Sequence, residues 1–169
     1  LRAVRDNSKV AIKSGHGVGK TAFLSWLVLW WLLTRYPTKV VCTANTAHQL
    51  SDVLWTEIDR WARGMHPGFK DRLNFKADKI SLEGANDSFA VARTSRRESP
   101  EALQGFHSDN MLILVDEASG VPDVVFQVGE GAMSTPGAKT VLTGNPTRSD
   151  GFFYEAFHSN REQWHCMTV

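Results

Sequence analysis

An α/β fold of three layers, with a mostly parallel central sheet flanked by helices, is what this sequence predicts, and three observations predict it. Strand-like apolar runs alternate with helix-like ones along most of the chain, the pattern of strands joined by helical crossovers. Strand runs such as Val40-Val41-Cys42 and Met111-Leu112-Ile113-Leu114-Val115 are continuously apolar, as strands covered on both faces are. The first strand leads directly into a glycine-rich turn, Ser14-Gly15-His16-Gly17-Val18-Gly19-Lys20-Thr21, followed by a helix. With 169 residues, 42% of them hydrophobic, the chain is long enough for one domain with a substantial core.

Taken in order, residues 1–9 carry Arg2, Arg5 and Lys9 against Asp6, with no capping pattern or start-like residue. Val10-Ala11-Ile12-Lys13 is the first strand. The run from Ala22 to Leu33 is apolar on more than one side, with Trp26 and Trp30 one helical turn apart and Trp31 beside them, so it reads as a buried helix behind the glycine turn. It is shorter than the ~20 apolar residues a membrane span needs. Tyr36-Pro37-Thr38 is a turn and residues 39–44 a second buried strand. Asn45 or Thr46 caps a helix over residues 47–63, in which Leu50, Val53, Leu54, Ile58 and Trp61 recur at helical spacing and Gly64 marks the stop.

From Arg60 to Lys79 the basic residues Arg60, Arg63, Lys70, Arg72, Lys76 and Lys79 outnumber Asp71 and Asp78. That run reads equally as a solvated rim or as a surface that tracks phosphates. Short strands are expected at residues 72–75, 79–82 and 89–93, the last two joined by a polar turn over residues 83–87, and together they extend one edge of the sheet. Residues 94–110 form a long polar loop containing a short helix-like piece at residues 100–104. Met111-Leu112-Ile113-Leu114-Val115 is a strand ending in Asp116-Glu117. Residues 122–129 read as a helix, 138–143 as a strand ending in Thr143-Gly144-Asn145-Pro146, 152–158 as helical and 164–169 as a last strand.

A net charge of +1 excludes a strongly basic coat, so any contact with nucleic acid falls to local patches. Cys42 and Cys166 are the only cysteines and stand in no metal-like spacing, which suggests a reduced, intracellular protein. The six histidines lack the spacing of a zinc site.

Chemistry concentrates in three segments. The turn follows G-x-x-x-x-G-K-[ST] except that Ser14 stands at the first glycine. In such a loop consecutive backbone N–H groups and the positive end of the helix dipole wrap phosphates. Ser14, Gly15, His16, Gly17, Val18, Gly19, Lys20 and Thr21 are therefore the expected nucleotide cradle, with Lys20 reaching the β and γ phosphates and Thr21 holding Mg²⁺. Asp116, first off its strand, is expected on the metal side, and Glu117 is expected to polarise the attacking water. Asn145 can bond the γ-phosphate or that water; the same Thr-Gly-Asn-Pro sequence is also good turn chemistry without a ligand. In a parallel sheet all three segments fall at the carboxyl ends of strands, where ligands bind. Arg93, Arg96, Arg97 and Arg148 are candidates for a charge-stabilising finger.

SGHGVGKT, VVCTANTAHQL, ALQGFHSDNMLILVDEASGV and VLTGNPTR, in this order and spacing over most of residues 9–148, resemble the ATPase motor domain of tailed-bacteriophage terminase large subunits. The resemblance implies a phosphate-loop NTPase with an extra strand between the loop strand and the Asp-Glu strand. Its ligands would be ATP and Mg²⁺, and its work the pumping of double-stranded viral DNA into a procapsid. Asp116 would be the metal-side acid, Glu117 the catalytic glutamate, and Thr143-Gly144-Asn145 the motif coupling hydrolysis to DNA movement. Residues 43–49 resemble a segment that lies near DNA in related translocases. The resemblance also implies a homo-oligomeric ring, a terminase small subunit and a portal protein as partners, and the host cell cytoplasm as the setting. Gln104 stands where many relatives carry an arginine finger. We expect residues 1–169 to be one ATPase domain from a longer chain, with the upstream adenine-contacting stretch mostly missing and the C-terminal nuclease domain absent. The rival readings are a helicase-like DNA-dependent ATPase and a nucleotide-binding fragment that does not hydrolyse.

Overall fold

A computed structural model describes residues 1–98 and 100–169; Ser99, inside the expected polar loop, lies outside the described residues. In chain order the elements are α1 (Arg2–Asp6), β1 (Lys9–Lys13), α2 (Lys20–Thr34), β2 (Thr38–Ala44), a wide-turned helical stretch (Gln49–Trp55) continuing into α3 (Thr56–Arg63), and α4 (Pro67–Lys70). Then come β3 (Leu73–Phe75), β4 (Lys79–Leu82), β5 (Ala85–Thr94), a single 3₁₀ turn (Pro100–Leu103), β6 (Asn110–Val115), α5 (Asp123–Met133), β7 (Lys139–Gly144), α6 (Phe152–Glu155) and β8 (His165–Thr168).

The strands make one eight-stranded sheet in the order β3-β4-β5-β2-β6-β7-β1-β8. Pairing is parallel throughout the centre and antiparallel only where β3 and β4 extend the edge beyond β5. β7 lies between the loop strand β1 and the Asp-Glu strand β6, the extra strand that the sequence resemblance implies.

Because successive side chains of a strand point to opposite faces, each central strand feeds two cores. Val10, Ile12, Val40, Cys42, Leu112 and Leu114 pack under α2 and the helix of residues 49–63. Ala11, Val41, Met111, Ile113, Val115 and Leu142 pack against α5, α6 and the Pro100–Leu103 turn. This double burial is why β2 and β6 read as unbroken apolar runs. Three layers follow from it.

Several boundaries differ from the sequence reading, each for a local reason. α1 carries no capping signal, yet Val4 is buried and Lys139 Nζ donates to the carbonyls of Arg5 and Asn7, tying the segment to β7. The turn between β4 and β5 is only Glu83-Gly84, with Gly84 at φ +72°, so Ala85, Asn86 and Asp87 join the strand. α5 runs past Gly129 to Met133; the residue is glycine because a Cβ there would stand 2.7 Å from Leu103 Cβ. That glycine is a contact point between helix and turn, and the helix continues through it. Among the described residues no helix is long and apolar enough to cross a membrane.

Candidate functional site

Three carboxyl ends of strands converge where the order β6-β7-β1 runs. Off β1 comes the glycine turn; Ser14 N–H donates to the Gly144 carbonyl of β7 at 3.1 Å, so the turn is fastened to the neighbouring strand at its first residue. Gly17 and Gly19 have φ of +72° and +89°, a backbone region that side chains rarely adopt. Ser14 has no such need, since Glu117 is the only described non-glycine residue with positive φ. The departure from the loop pattern is thus accommodated at a position where ordinary backbone geometry suffices. A Cβ placed on Gly15, Gly17 or Gly19 would meet nothing within 4 Å, so the loop backbone lies open to a ligand. α2 begins at Lys20, directly behind it.

Lys20 is the centre of the described contacts. Its Nζ donates to the Gly15 carbonyl and to Asn145 Oδ1, both at 2.8 Å, and stands 3.8 Å from Glu117 Oε1. Asn145, 6% exposed, turns its Nδ2 to His16, 2.8 Å from Nε2. The same Nδ2 lies 3.2 Å from His16 Nδ1. Glu117 Oε2 also accepts from the Asn145 backbone N–H at 3.5 Å. Turn, acidic pair and third strand end are therefore joined by His16, Asn145, Lys20 and Glu117. Residues that lie up to 129 positions apart meet here.

Asp116 is 1% exposed. Its Oδ1 accepts from Thr143 Oγ1 at 2.9 Å and from the Glu117 backbone N–H at 3.0 Å, while its Oδ2 accepts from Gln49 Nε2 at 2.8 Å. A carboxylate offers about four lone-pair directions. Three are occupied among the described residues, which leaves Oδ2 one for a metal-bound water. Glu117 follows at φ 47°, ψ 47°, a left-handed conformation costing a side-chain-bearing residue roughly 1–2 kcal/mol. Strain of this kind persists where surrounding structure imposes it. Thr21 lies in the first turn of α2, where its carbonyl accepts from Ser25 Oγ at 2.8 Å. Val18 is 47% exposed at the tip of the turn.

Burial raises the pKa of the Cys42 thiol well above its ordinary value, and the nearby Asp116 charge raises it further. On β2, the strand next to the one that carries the acidic pair, Thr43 Oγ1 donates to the Arg93 carbonyl and shares a hydrogen bond with Ser95 Oγ. Of the finger candidates, Arg93 is engaged by Asp78 at 3.1 Å. Arg97 and Arg148 line one cleft with residues 118–124, immediately after the acidic pair. Arg96 and Gln104 are exposed.

The sequence reading missed Gln49 and the hydroxyl of Thr143 as partners of Asp116. Thr143 could have been read from its place next to Asn145. Gln49 lies 67 positions from Asp116 and is singled out in the sequence only as the end of the segment 43–49, with no signal of this bond.

Fold and loop together define a phosphate-loop NTPase architecture with an added strand. A family model described as the terminase large subunit, T4likevirus-type, N-terminal, matches residues 12–168. A probable terminase large subunit of Enterobacteria phage P7 is 30% identical over 158 residues, covering 91% of this chain and 32% of that protein. The chain belongs to the family of N-terminal domains of phage terminase large subunits. It spans about a third of the curated relative it matches.

Solved structures agree in fold. The large terminase of the thermophilic bacteriophage D6E in complex with ADP superposes with a TM-score of 0.73 at 19% identity, over 98% of this chain and 40% of that one. The same terminase with ATP-gamma-S gives 0.68 at 18% identity, over 98% and 40%. The ATPase domain of the Thermus phage P74-26 large terminase gives 0.71 at 13% identity, over 96% of this chain and 75% of that one.

Proposed function

We propose that this domain binds ATP with Mg²⁺, hydrolyses it to ADP and phosphate, and uses the cycle to move double-stranded DNA into a viral procapsid. The observation that carries the reading is the bond set of Lys20, whose ammonium reaches the glycine turn, Asn145 and Glu117 at once. A γ-phosphate cradled by the turn would take over that ammonium as a charged acceptor, releasing Asn145 and Glu117 for other work.

The roles follow from chemistry. Backbone N–H groups of residues 15–19 bind phosphate oxygens, and Lys20 neutralises charge on them. Thr21 and, through water, Asp116 would hold Mg²⁺, which when bound draws charge off the phosphate oxygens. Glu117 accepts a hydrogen bond from the water that attacks the γ-phosphorus. The new P–O bond forms as the bond to the β,γ-bridging oxygen breaks, and ADP leaves with that electron pair. Asn145, released from Lys20, can bond the γ-phosphate and register its loss. Arg97 or Arg148 is positioned to serve a finger role beside the segment that follows the acidic pair. A relative solved with ADP and with ATP-gamma-S supports nucleotide binding by this fold. Family membership supports a DNA substrate, a ring of copies, and small-subunit and portal partners in the host cytoplasm.

Phosphate release by the purified protein, with and without double-stranded DNA, tests the reading. Lys20→Ala is expected to abolish nucleotide binding or turnover. Glu117→Gln is expected to bind ATP yet hydrolyse it at least about a hundredfold more slowly. Normal turnover in Glu117→Gln refutes that residue's role. A packaging motor leaves forked DNA paired, so strand separation in the same preparation would favour a helicase.

A further inference from the structure

β2 ends at Ala44, and the chain turns into a helix with the Thr46 hydroxyl accepting the Gln49 N–H at 3.1 Å. Thr46 thus caps a helix that starts at Ala47, and Gln49, in its first turn, sends its side chain back to Asp116 Oδ2 at 2.8 Å. The same segment touches the chain beyond the acidic pair, where a Cβ on Gly120 would lie 3.5 Å from Asn45 Nδ2. From Gln49 to Trp55 the turns are wide, of the π type, a form that sits inside longer helices and often at functional sites. The helix then continues as α3 to Trp61, which packs edge-on against Trp26 of α2 at 5.0 Å.

We infer that Gln49 is a positioning residue: it holds the Asp116 carboxylate for Mg²⁺ and, through the same bond, links the state of that carboxylate to the wide-turned stretch beginning at Gln49. The inference rests on the proposed metal-side role of Asp116. Thr143 and the Glu117 N–H fix only Oδ1, so the orientation of Oδ2 depends on Gln49 alone among the described residues. A primary amide donates to a carboxylate strongly when the full charge is present, and less so once a metal-bound water shares the same oxygen. Gln49 is the first residue of the wide-turned stretch. A weaker bond to Asp116 therefore loosens that stretch, and the change is carried toward α3. Outer-shell partners of this kind commonly alter metal affinity about 10–100-fold when removed.

The test uses the full chain and a fluorescent, slowly hydrolysed ATP analogue. Two quantities are read: the Mg²⁺ concentration for half-maximal analogue binding, and amide hydrogen exchange of residues 49–63 with and without Mg²⁺. In the native protein, exchange in residues 49–63 changes when Mg²⁺ joins the analogue. Gln49→Leu removes the amide donor, and is expected to raise the Mg²⁺ midpoint about 10-fold or more and to abolish the exchange response. Gln49→Asn, which keeps the amide but shortens the reach, gives the same two readouts should the leucine variant fail to fold. Asp116→Asn reports on the underlying reading and should remove the Mg²⁺ dependence of binding. If Asp116→Asn does so while both Gln49 variants keep the native midpoint and response, the inference is overturned and the metal role of Asp116 stands. If Asp116→Asn leaves the midpoint unchanged, that role fails and takes the inference with it.

Discussion

Asp116 can be changed in two ways that the structure separates sharply. In Asp116→Ala the Thr143 hydroxyl, the Gln49 amide and the Glu117 N–H all lose their acceptor. A buried group left without a partner costs about 1–3 kcal/mol. Thr143 is fully buried whereas Gln49 and Glu117 are partly open to water, so the total should be about 2–4 kcal/mol. In Asp116→Asn the remaining carbonyl keeps Thr143 and the Glu117 N–H. The new Nδ2 faces Gln49, whose amide can turn over and present Oε1 instead. The bonds become neutral and lose roughly 1 kcal/mol each, but the several kcal/mol of desolvating a buried charge are relieved. Asparagine should therefore sit within about 1 kcal/mol of the native protein. Urea unfolding at constant slope measures both changes. Phosphate release in Mg²⁺ should nonetheless fall at least about a hundredfold in Asp116→Asn. Equal destabilisation of the two variants would refute the hydrogen-bond reasoning, and near-native turnover of the asparagine variant would refute the metal role.

Three further outcomes follow from the packing and backbone. Glu117→Gly relieves a left-handed position but loses the contacts with Lys20 and the Asn145 N–H, so stability should stay within about 1 kcal/mol of native while turnover is lost; a loss well beyond that in urea would contradict the strain argument. Gly129→Ala drives a Cβ to within 2.7 Å of Leu103 and should cost about 1–3 kcal/mol, as overpacking does; unchanged stability would mean that Leu103 moves aside freely. For Cys42 the folded-state pKa is raised by burial, so its contribution is fully present below the unfolded value of about 8.5 and declines above it by up to ~1.4 kcal/mol per pH unit. The stability gap between native protein and Cys42→Ala should then narrow as pH rises past about 9, and a constant gap between pH 8 and pH 10 would contradict the raised pKa.

The layered fold was legible because its determinants are local. β2, β6 and the apolar helix α2 announce themselves by composition, and strand-to-helix alternation orders them. Thr46 was readable as a cap and serves as one toward Gln49. The glycine turn, Asp116-Glu117 and Thr143 to Asn145 were placed at one sheet edge by the rule that ligands gather at carboxyl ends, and the structure does bring them to one edge. Features fixed by distant partners were not legible. Gln49 looks like any helix residue until β2 and β6 pair and bring it to Asp116. Gly129 reads as a helix stop because its real reason, the close approach of Leu103, comes from another element. Asn86 and Asp87 read as turn residues because pairing with β4 overrides their low strand propensity.

The central claim is that the glycine turn and the acidic pair surround one triphosphate. A crystal structure with Mn²⁺ in place of Mg²⁺ and a slowly hydrolysed ATP analogue, read by the anomalous signal of the metal, tests it most directly. The account predicts a metal peak in the shell of the Thr21 hydroxyl, at about 2.0–2.2 Å, with Asp116 behind a bound water and Lys20 turned from Asn145 to the γ-phosphate. A peak remote from Thr21, or a triphosphate bound away from residues 14–21, would contradict it.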